Sequence, residues 1–260
     1  MYTLLLGNKL DFYMIKGVCD LSCIPLRKEP DSRSEILSQL LFGDTFEVLS
    51  KTEDGWTRIK NDYDQYEGWI STKQFAAHNA SVSVFITNTF YPYLTLKSSR
   101  GNHLVPAGCS IPPAAKFQLG EATFENSENI PTKTFADVEQ VALQYLNAPY
   151  LWGGRSPFGI DCSGFTQSVF KQCGVALRRD AWQQAEQGES VAFTAEVKCG
   201  DLAFFDNDEG RITHVGIMLA PGKIIHASGR VRIDELDHYG IINQSEKQYT
   251  HKLRLIKRMF

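Results

Sequence analysis

The sequence predicts an α+β domain preceded by small all-β units, and three observations carry that reading. Short runs of β-forming residues, separated by turn signals, fill the first part to about residue 77. Apolar residues then take helical spacing in TFADVEQVALQYLNAPY (134–150) and again after Cys162. Strand-like runs follow: DLAFF, HVGIML, KIIHAS, VRI and KLRLIKRMF. Helices first and an antiparallel meander afterwards describe an α+β domain.

In the first region DTFEVL, GWTRIK and YEGWIS alternate with EDG and NDYD, the spacing of a small barrel. The pattern LRKEPDSRSEILSQLLFGDTFEVLSKTEDGWTRIK…YEGWIS resembles a bacterial SH3-like domain. SVSVFIT and YLTL read as further strands around the turn-rich VPAGCSIPP, and a second, degenerate SH3-like barrel is expected there. ENSENIPTK (125–133) reads as a linker. The expected domains are therefore 1–77, 78–130 and 131–260.

The first helix of the last domain has apolar residues at 135, 138, 141, 142, 145 and 146, and Thr134 with Asp137 suits its N-terminal cap. The second begins near Cys162, puts Phe165, Val169, Phe170 and Cys173 on one face, and stops at Gly174. Hydrophobic content of 43%, charged content of 22% and net charge −3 describe an ordinary globular chain with no electrostatic reason to bind nucleic acid or an anionic membrane. The start, MYTLLLGNKLDFYMIKG, lacks a basic n-region and a long apolar run, so a cytoplasmic location is expected; a removed leader would make it periplasmic or secreted. The cysteines at 19, 23, 109, 162, 173 and 199 match no zinc spacing, and Cys19 and Cys23 are expected to be reduced.

Cys162 stands where a helix should start. Unpaired N–H groups and a partial positive charge there favour thiolate, and can receive the oxyanion of a tetrahedral intermediate. A cysteine nucleophile also needs a base and an orienting group. His214 opens HVGIML and His226 ends KIIHAS, two runs joined by APGK as a hairpin. A two-residue Pro221-Gly222 loop would put the two imidazoles on opposite faces unless a bulge intervened, so a three- or five-residue loop is expected. His78, His103, His238 and His251 have no comparable context.

YLWGGRSPFGIDCSGFTQSVFKQCGV, GDLAFFDN, ITHVGIML and IIHAS together resemble the NlpC-type cysteine peptidases of bacterial cell-wall turnover. The resemblance implies a papain-like fold with Cys162 as nucleophile, His214 as general base and acid, and His226 orienting His214. Tyr150 matches the family tyrosine near the thiol. Where the family often has Pro before GD, this chain has Cys199, read as a turn residue.

SH3-like barrels before such a domain resemble the γ-D-glutamyl-L-diamino acid endopeptidases, of dipeptidyl-peptidase VI type, which cut peptidoglycan peptides bearing a free N-terminal L-alanine. The resemblance implies that Asp161, Ser163 and Asp180 bind that amine and that an aromatic of the first barrel, with Tyr66 the candidate, closes the pocket. Ala181 departs from the Ser common in that group. No metal or cofactor is implied, and the expected partner is a wall-derived peptide whose diamino acid is lysine or diaminopimelate. Alternatives are a muramoyl-L-alanine amidase and a non-catalytic wall-binding protein.

Overall fold

The computed structural model describes residues 16–78, 93–112, 114–126, 137–192, 196–243 and 248–260. The first unit contains β1 (Lys16–Val18), β2 (Cys23–Arg27), β3 (Ile36–Leu41), β4 (Thr45–Lys51), β5 (Trp56–Asn61), β6 (Glu67–Ser71) and β7 (Ala76–Ala77). They pair in the order β3-β2-β6-β5-β4-β1-β7, around Cys19, Ile24, Leu26, Leu40, Phe46, Ile59 and Ile70. Alternate residues of β2 and β5 are buried, as a half-buried strand requires.

The strands β8 (Tyr93–Ser98), β9 (Gly101–Pro106), β10 (Lys116–Leu119) and β11 (Ala122–Glu125) form an antiparallel sheet in the order β10-β11-β8-β9. Its core is shared with the first unit: Val18, Leu41 and Phe42 pack among Leu94, Leu96, Val105, Phe117 and Phe124. SVSVFIT, expected to be a strand of this unit, lies outside the described residues.

The last domain begins with α1 (Val138–Leu143), β12 (Arg155–Ser156), β13 (Gly159–Ile160), α2 (Cys162–Gln172) and α3 (Ala181–Gln184). Asp137 itself caps α1, its side chain accepting from the Gln140 N–H, whereas Thr134 lies outside the described residues. Val138, Val141, Ala142 and Tyr145 are buried as the periodicity predicts, but Leu146 follows the end of the helix and is 41% exposed. α2 ends before Gly174, whose φ of +81° lies in the left-handed region that glycine adopts freely.

The sheet that follows has β14 (Glu189–Ser190), β15 (Leu202–Asp206), β16 (Ile212–Ala220), β17 (Lys223–Ser228), β18 (Arg230–Leu236), β19 (Gly240–Asn243) and β20 (Gln248–Arg258). The order β14-β20-β15-β16-β17-β18-β19, with β19 also pairing β20, closes the expected meander into a six-stranded barrel with β14 on its outside. Each of the six strands sends an apolar side chain inward, among them Phe205, Met218, Ile224, Leu236, Ile241 and Ile256. The outward set, including Phe204, Val215, Ile217 and Ile225, forms one core with Phe165, Val169 and Phe170 of α2. Among the described residues no helix is long and apolar enough to cross a membrane.

Buried charge joins the first unit to the last domain. Asp44 accepts from Lys171 at 3.0 Å and Arg155 at 3.3 Å, and all three side chains are at most 2% exposed. Arg155 also donates to the Gln39 carbonyl at 2.7 Å, while Gln167 donates to Asp64 at 3.0 Å. These bonds hold α2 and its N-terminus at a fixed position against the first unit.

Candidate active site

α2 starts at Cys162 because Asp161 caps it: the Asp161 backbone is extended and its Oδ1 accepts from the Gly164 N–H at 2.6 Å. Gly164 is required here, since a Cβ would lie 2.2 Å from the Gly154 carbonyl oxygen. The first turn of α2 thereby presses against the loop that carries Gly153 and Gly154. Cys162 is 6% exposed, and its Sγ lies 4.0 Å from the carbonyl oxygen of Thr213, the residue before His214. Burial pushes the thiol pKa up to about 12, Asp161 adds to the rise, and the Val215 N–H, Arg179 and the Ser163 N–H oppose it. The helix start is thus outweighed, and the resting site holds a thiol rather than the thiolate expected from its position alone.

His214 and His226 reach the same face by a route that corrects the expected loop length. Gly216 pairs with His226 and Ala220 with Lys223, leaving Pro221-Gly222 as a two-residue loop, with a bulge between Met218 and Ala220. The physical reason lies in the turn. Two-residue hairpins favour positive φ at the first loop residue, which proline cannot adopt. The extra residue, Leu219, absorbs the resulting mismatch and restores the parity of the two imidazoles. His214 and His226 therefore share the inward side with Met218 and Ile224.

The two rings form a relay with an acid that the sequence reading missed. His226 Nε2 lies 2.9 Å from Asp234 Oδ2, and Arg232 donates to Asp234 Oδ1 at 2.7 Å. Burial would raise the Asp234 pKa, but the bonds from His226 and Arg232 outweigh it and hold the carboxyl below its ordinary value. An ionised Asp234 only accepts, which assigns the His226 proton to Nε2 and makes its Nδ1 an acceptor. His214 Nε2 then donates to that Nδ1 across 2.8 Å, leaving the lone pair of His214 on Nδ1. Burial, reinforced by His226 and His251, holds His214 well below the usual histidine pKa, so it is neutral at neutral pH. His251 of β20 stacks on it, with ring centroids 4.1 Å apart. The pairing of β20 with β15, which itself pairs with β16, and with β19 brings His251 here, and no motif around it signals that.

Of the expected amine-binding residues, Asp161 is the most fully engaged. Its oxygens accept from Arg179 at 3.1 and 2.5 Å, from Gly164 and from the Gly153 N–H at 2.8 Å. Arg179 also donates to Ser163 Oγ at 2.8 Å and to Ser38 Oγ at 3.0 Å. Asp180 is different: the Tyr66 hydroxyl lies 3.1 Å from both of its carboxylate oxygens. Burial raises the Asp180 pKa, although the Tyr66 bond and Arg179 oppose it. Tyr66 also packs on the apolar core of the first unit, so its ring is structural while its hydroxyl crosses the domain boundary. Tyr150 is 36% exposed, and burial, with Cys162 next in effect, raises its hydroxyl to about 12. Ala181 is buried at the first position of α3, and Cys199 is an exposed free thiol. Cys19 and Cys23 are also free thiols, as expected.

On the other side of His214, a cavity of about 690 Å³ opens between Thr213, His251, Asp206, Asp208, Tyr239 and Lys252.

This geometry has relatives. The model of the NlpC/P60 family matches residues 147–253, and that of the bacterial dipeptidyl-peptidase Sh3 domain matches residues 26–75. A γ-D-glutamyl-L-lysine dipeptidyl-peptidase of Bacillus subtilis (strain 168) is 31% identical over 249 residues, covering 86% of this chain and 81% of that protein. The chain belongs to the NlpC/P60 family. Dipeptidyl-peptidase 6 of Lysinibacillus sphaericus is 28% identical, with 82% and 88% covered. The crystal structure of an NlpC/P60 family protein from Bacillus cereus superposes with a TM-score of 0.78 at 22% identity, covering 94% of this chain and 99% of that one. That likeness extends the shared fold through the units preceding the NlpC/P60 domain. The chain is an NlpC/P60 cysteine peptidase, and within the matched region Cys162 begins α2 while His214 and His226 lie on β16 and β17.

Proposed function

We propose that the protein is a γ-D-glutamyl-L-diamino acid endopeptidase that acts on wall-derived peptides with a free N-terminal L-alanine, in their recycling or turnover. The observation that carries this reading is the Tyr66–Asp180 contact, in which a carboxyl group at the N-cap of α3 lies under a hydroxyl from the SH3-like unit. A substrate ammonium entering there finds a carboxylate that forms no ion pair among the described residues, whereas Asp161 is already paired with Arg179 and held by two backbone N–H groups. In this reading Asp180 and Tyr66 bind the amine directly. Asp161 and Ser163 hold the floor of the pocket through Arg179, and Tyr150 borders the thiol.

The chemistry follows from the protonation states. Cys162 Sγ–H gives its proton to Nδ1 of neutral His214 as sulfur attacks the γ-carbonyl of D-glutamate. First-turn N–H groups of α2 receive the oxyanion, apart from that of Gly164, which Asp161 occupies. The imidazolium is stabilised through His226 by Asp234. It returns the proton to the departing amine as the C–N bond breaks, leaving a thioester. Water then adds with His214 as base, and L-Ala-γ-D-Glu leaves with the thiol restored. The diamino acid departs on the His214 side in this reading, and the nearby cavity is lined by Thr213 and His251, the neighbours of His214 in the chain and in the ring stack.

Mass-spectrometric assay of L-Ala-γ-D-Glu-L-Lys and its diaminopimelate counterpart tests the reading. Release of L-Ala-γ-D-Glu, and no release when the alanine amine is acylated, is expected. Cleavage of only the muramoyl–alanine bond of a capped peptide would overturn it in favour of an amidase.

A further inference from the structure

His251 brings a third imidazole to the His214–His226 pair. It stacks on His214 with planes 28° apart and stands edge-on to His226 at 5.6 Å. One nitrogen from each of the three rings falls within 4.8 Å of the other two. We propose that His214, His226 and His251 form an inhibitory zinc site at the mouth of the barrel, each giving one imidazole nitrogen to Zn²⁺.

The donor set suits that ion. Three histidines with water in the fourth position is an established tetrahedral arrangement, with imidazole nitrogens roughly 3.3 Å apart around the metal. The cluster therefore needs its widest pair to close by at most about 1.5 Å, within reach of ring rotation. Nε2 of His214 and Nδ1 of His226 already face each other across 2.8 Å. Behind His226, Asp234 accepts from the outer nitrogen at 2.9 Å, the carboxylate–histidine arrangement that orients zinc-binding imidazoles. Nδ1 of His251 lies 2.9 Å from Thr250 Oγ1, which leaves its Nε2 for the metal. The cavity lined by His251, Thr213, Asp206 and Asp208 gives a cation a path from solvent, with acidic groups along it.

Inhibition follows from the position of one proton. When zinc takes the lone pair on Nε2 of His214, the single proton of that neutral ring sits on Nδ1. Nδ1 can then no longer accept the thiol proton, and attack by Cys162 stops. The site needs no change in the oxidation state of sulfur or metal.

Titration calorimetry of the full chain with ZnCl₂, together with zinc-edge absorption, tests the assignment. Cys162→Ala removes the one thiol beside the cluster, and His251→Phe keeps a stacking ring while removing a ligand. The expected result is one zinc per chain in the wild type and in Cys162→Ala, with a nitrogen/oxygen-only shell in Cys162→Ala and at least tenfold weaker binding in His251→Phe. Asp234→Asn should weaken binding by 10- to 100-fold. Binding that vanishes in Cys162→Ala, or that is unchanged in His251→Phe, overturns the site. Calorimetry does not depend on turnover, so a chain that cleaves neither test peptide would sink the proposed function and leave this result standing. If the peptides are cleaved, zinc should inhibit the wild type at concentrations at least tenfold below those required for His251→Phe, each measured against its own rate without zinc.

Discussion

Tyr66 and Asp180 are 114 residues apart in the chain, yet the tyrosine hydroxyl is shared between both oxygens of the carboxylate at 3.1 Å. A hydrogen bond to a charged group contributes about 1.5–3 kcal/mol, which corresponds to roughly 10- to 150-fold in a binding constant. Tyr66→Phe should therefore lower kcat/KM on the free-amine peptide by at least about tenfold, mainly through KM. Asp180→Asn removes the charge itself and should cost more, on the order of 100-fold or above. Steady-state kinetics of both variants check this. An Asp180→Asn enzyme that keeps wild-type KM would show that the amine is bound elsewhere.

The relay behind His214 predicts a different signature. Asp234→Asn takes away the acceptor that assigns the proton of His226, and through it the lone pair of His214. Loss of such an orienting carboxylate costs a serine protease about 10⁴ in kcat. Here, with one more ring intervening, a fall of about 10²–10³ in kcat with little change in KM is expected. A matching loss in KM would assign Asp234 to substrate binding instead.

The pH dependence follows from His214. Burial, with His226 and His251 adding to it, sets its pKa well below 6.5 in the folded protein. Only the neutral ring accepts the thiol proton, so activity is retained as pH falls through 6.5 and is lost only at the lower folded value. The stability contribution has the same sign: it is complete above the unfolded pKa and is lost as pH falls toward the folded one. The acid limb of kcat/KM for the free enzyme should lie clearly below pH 6.5, as measured on the free-amine peptide. A limb at or above 6.5 would contradict a buried, neutral His214.

Cys162, His214 and His226 were legible as candidates because each is marked locally: Cys162 by an Asp-Cys-Ser-Gly helix start, His214 and His226 by strands joined through Pro-Gly. Register was harder to read. Pro221 excludes the turns that two-residue hairpins favour, and the bulge at Leu219 that compensates has no motif of its own. Asp234 depends on the register of the β17–β18 hairpin, where it pairs with Ile224, and no motif fixes that register. His251 was illegible because the pairing of β20 with both β15 and β19 sets its place. The buried ion pair of Asp161 with Arg179 was not legible, because Arg179 approaches only after α2 has turned the chain back.

The junction between the SH3-like unit and the NlpC/P60 domain rests on Asp44. Burial would raise its pKa, but Lys171 and Arg155 outweigh that and lower it. The depressed carboxyl contributes stability above its unfolded pKa and loses that contribution as pH falls through the folded value. Asp44→Ala would leave Lys171 and Arg155 as uncompensated buried cations, at a cost of about 3–5 kcal/mol. Denaturant unfolding should report a loss of this size, while Asp62→Ala, whose pair with Lys16 is over a third exposed on both sides, should change stability by less than about 1 kcal/mol. Equal effects of the two substitutions would remove Asp44 from its place at the junction.

The bulge makes the last prediction. Deleting Leu219 leaves Pro221-Gly222 as the loop but removes the extra residue, so every side chain of β16 before it changes face relative to β17. His214 would then point to the outer side while His226 stays inside, and the proton relay would be broken. Activity should fall by more than about 10³, the scale of losing a general base. Because Leu219 also contributes to the core under α2, Leu219→Ala is the control: it keeps the register and only leaves a gap. That variant should lose about 2–5 kcal/mol of stability yet keep most of its turnover where folded. A deletion variant that remains folded and active would mean that the chain recovers the parity of His214 by shifting its bulge elsewhere, and that Leu219 does not set it.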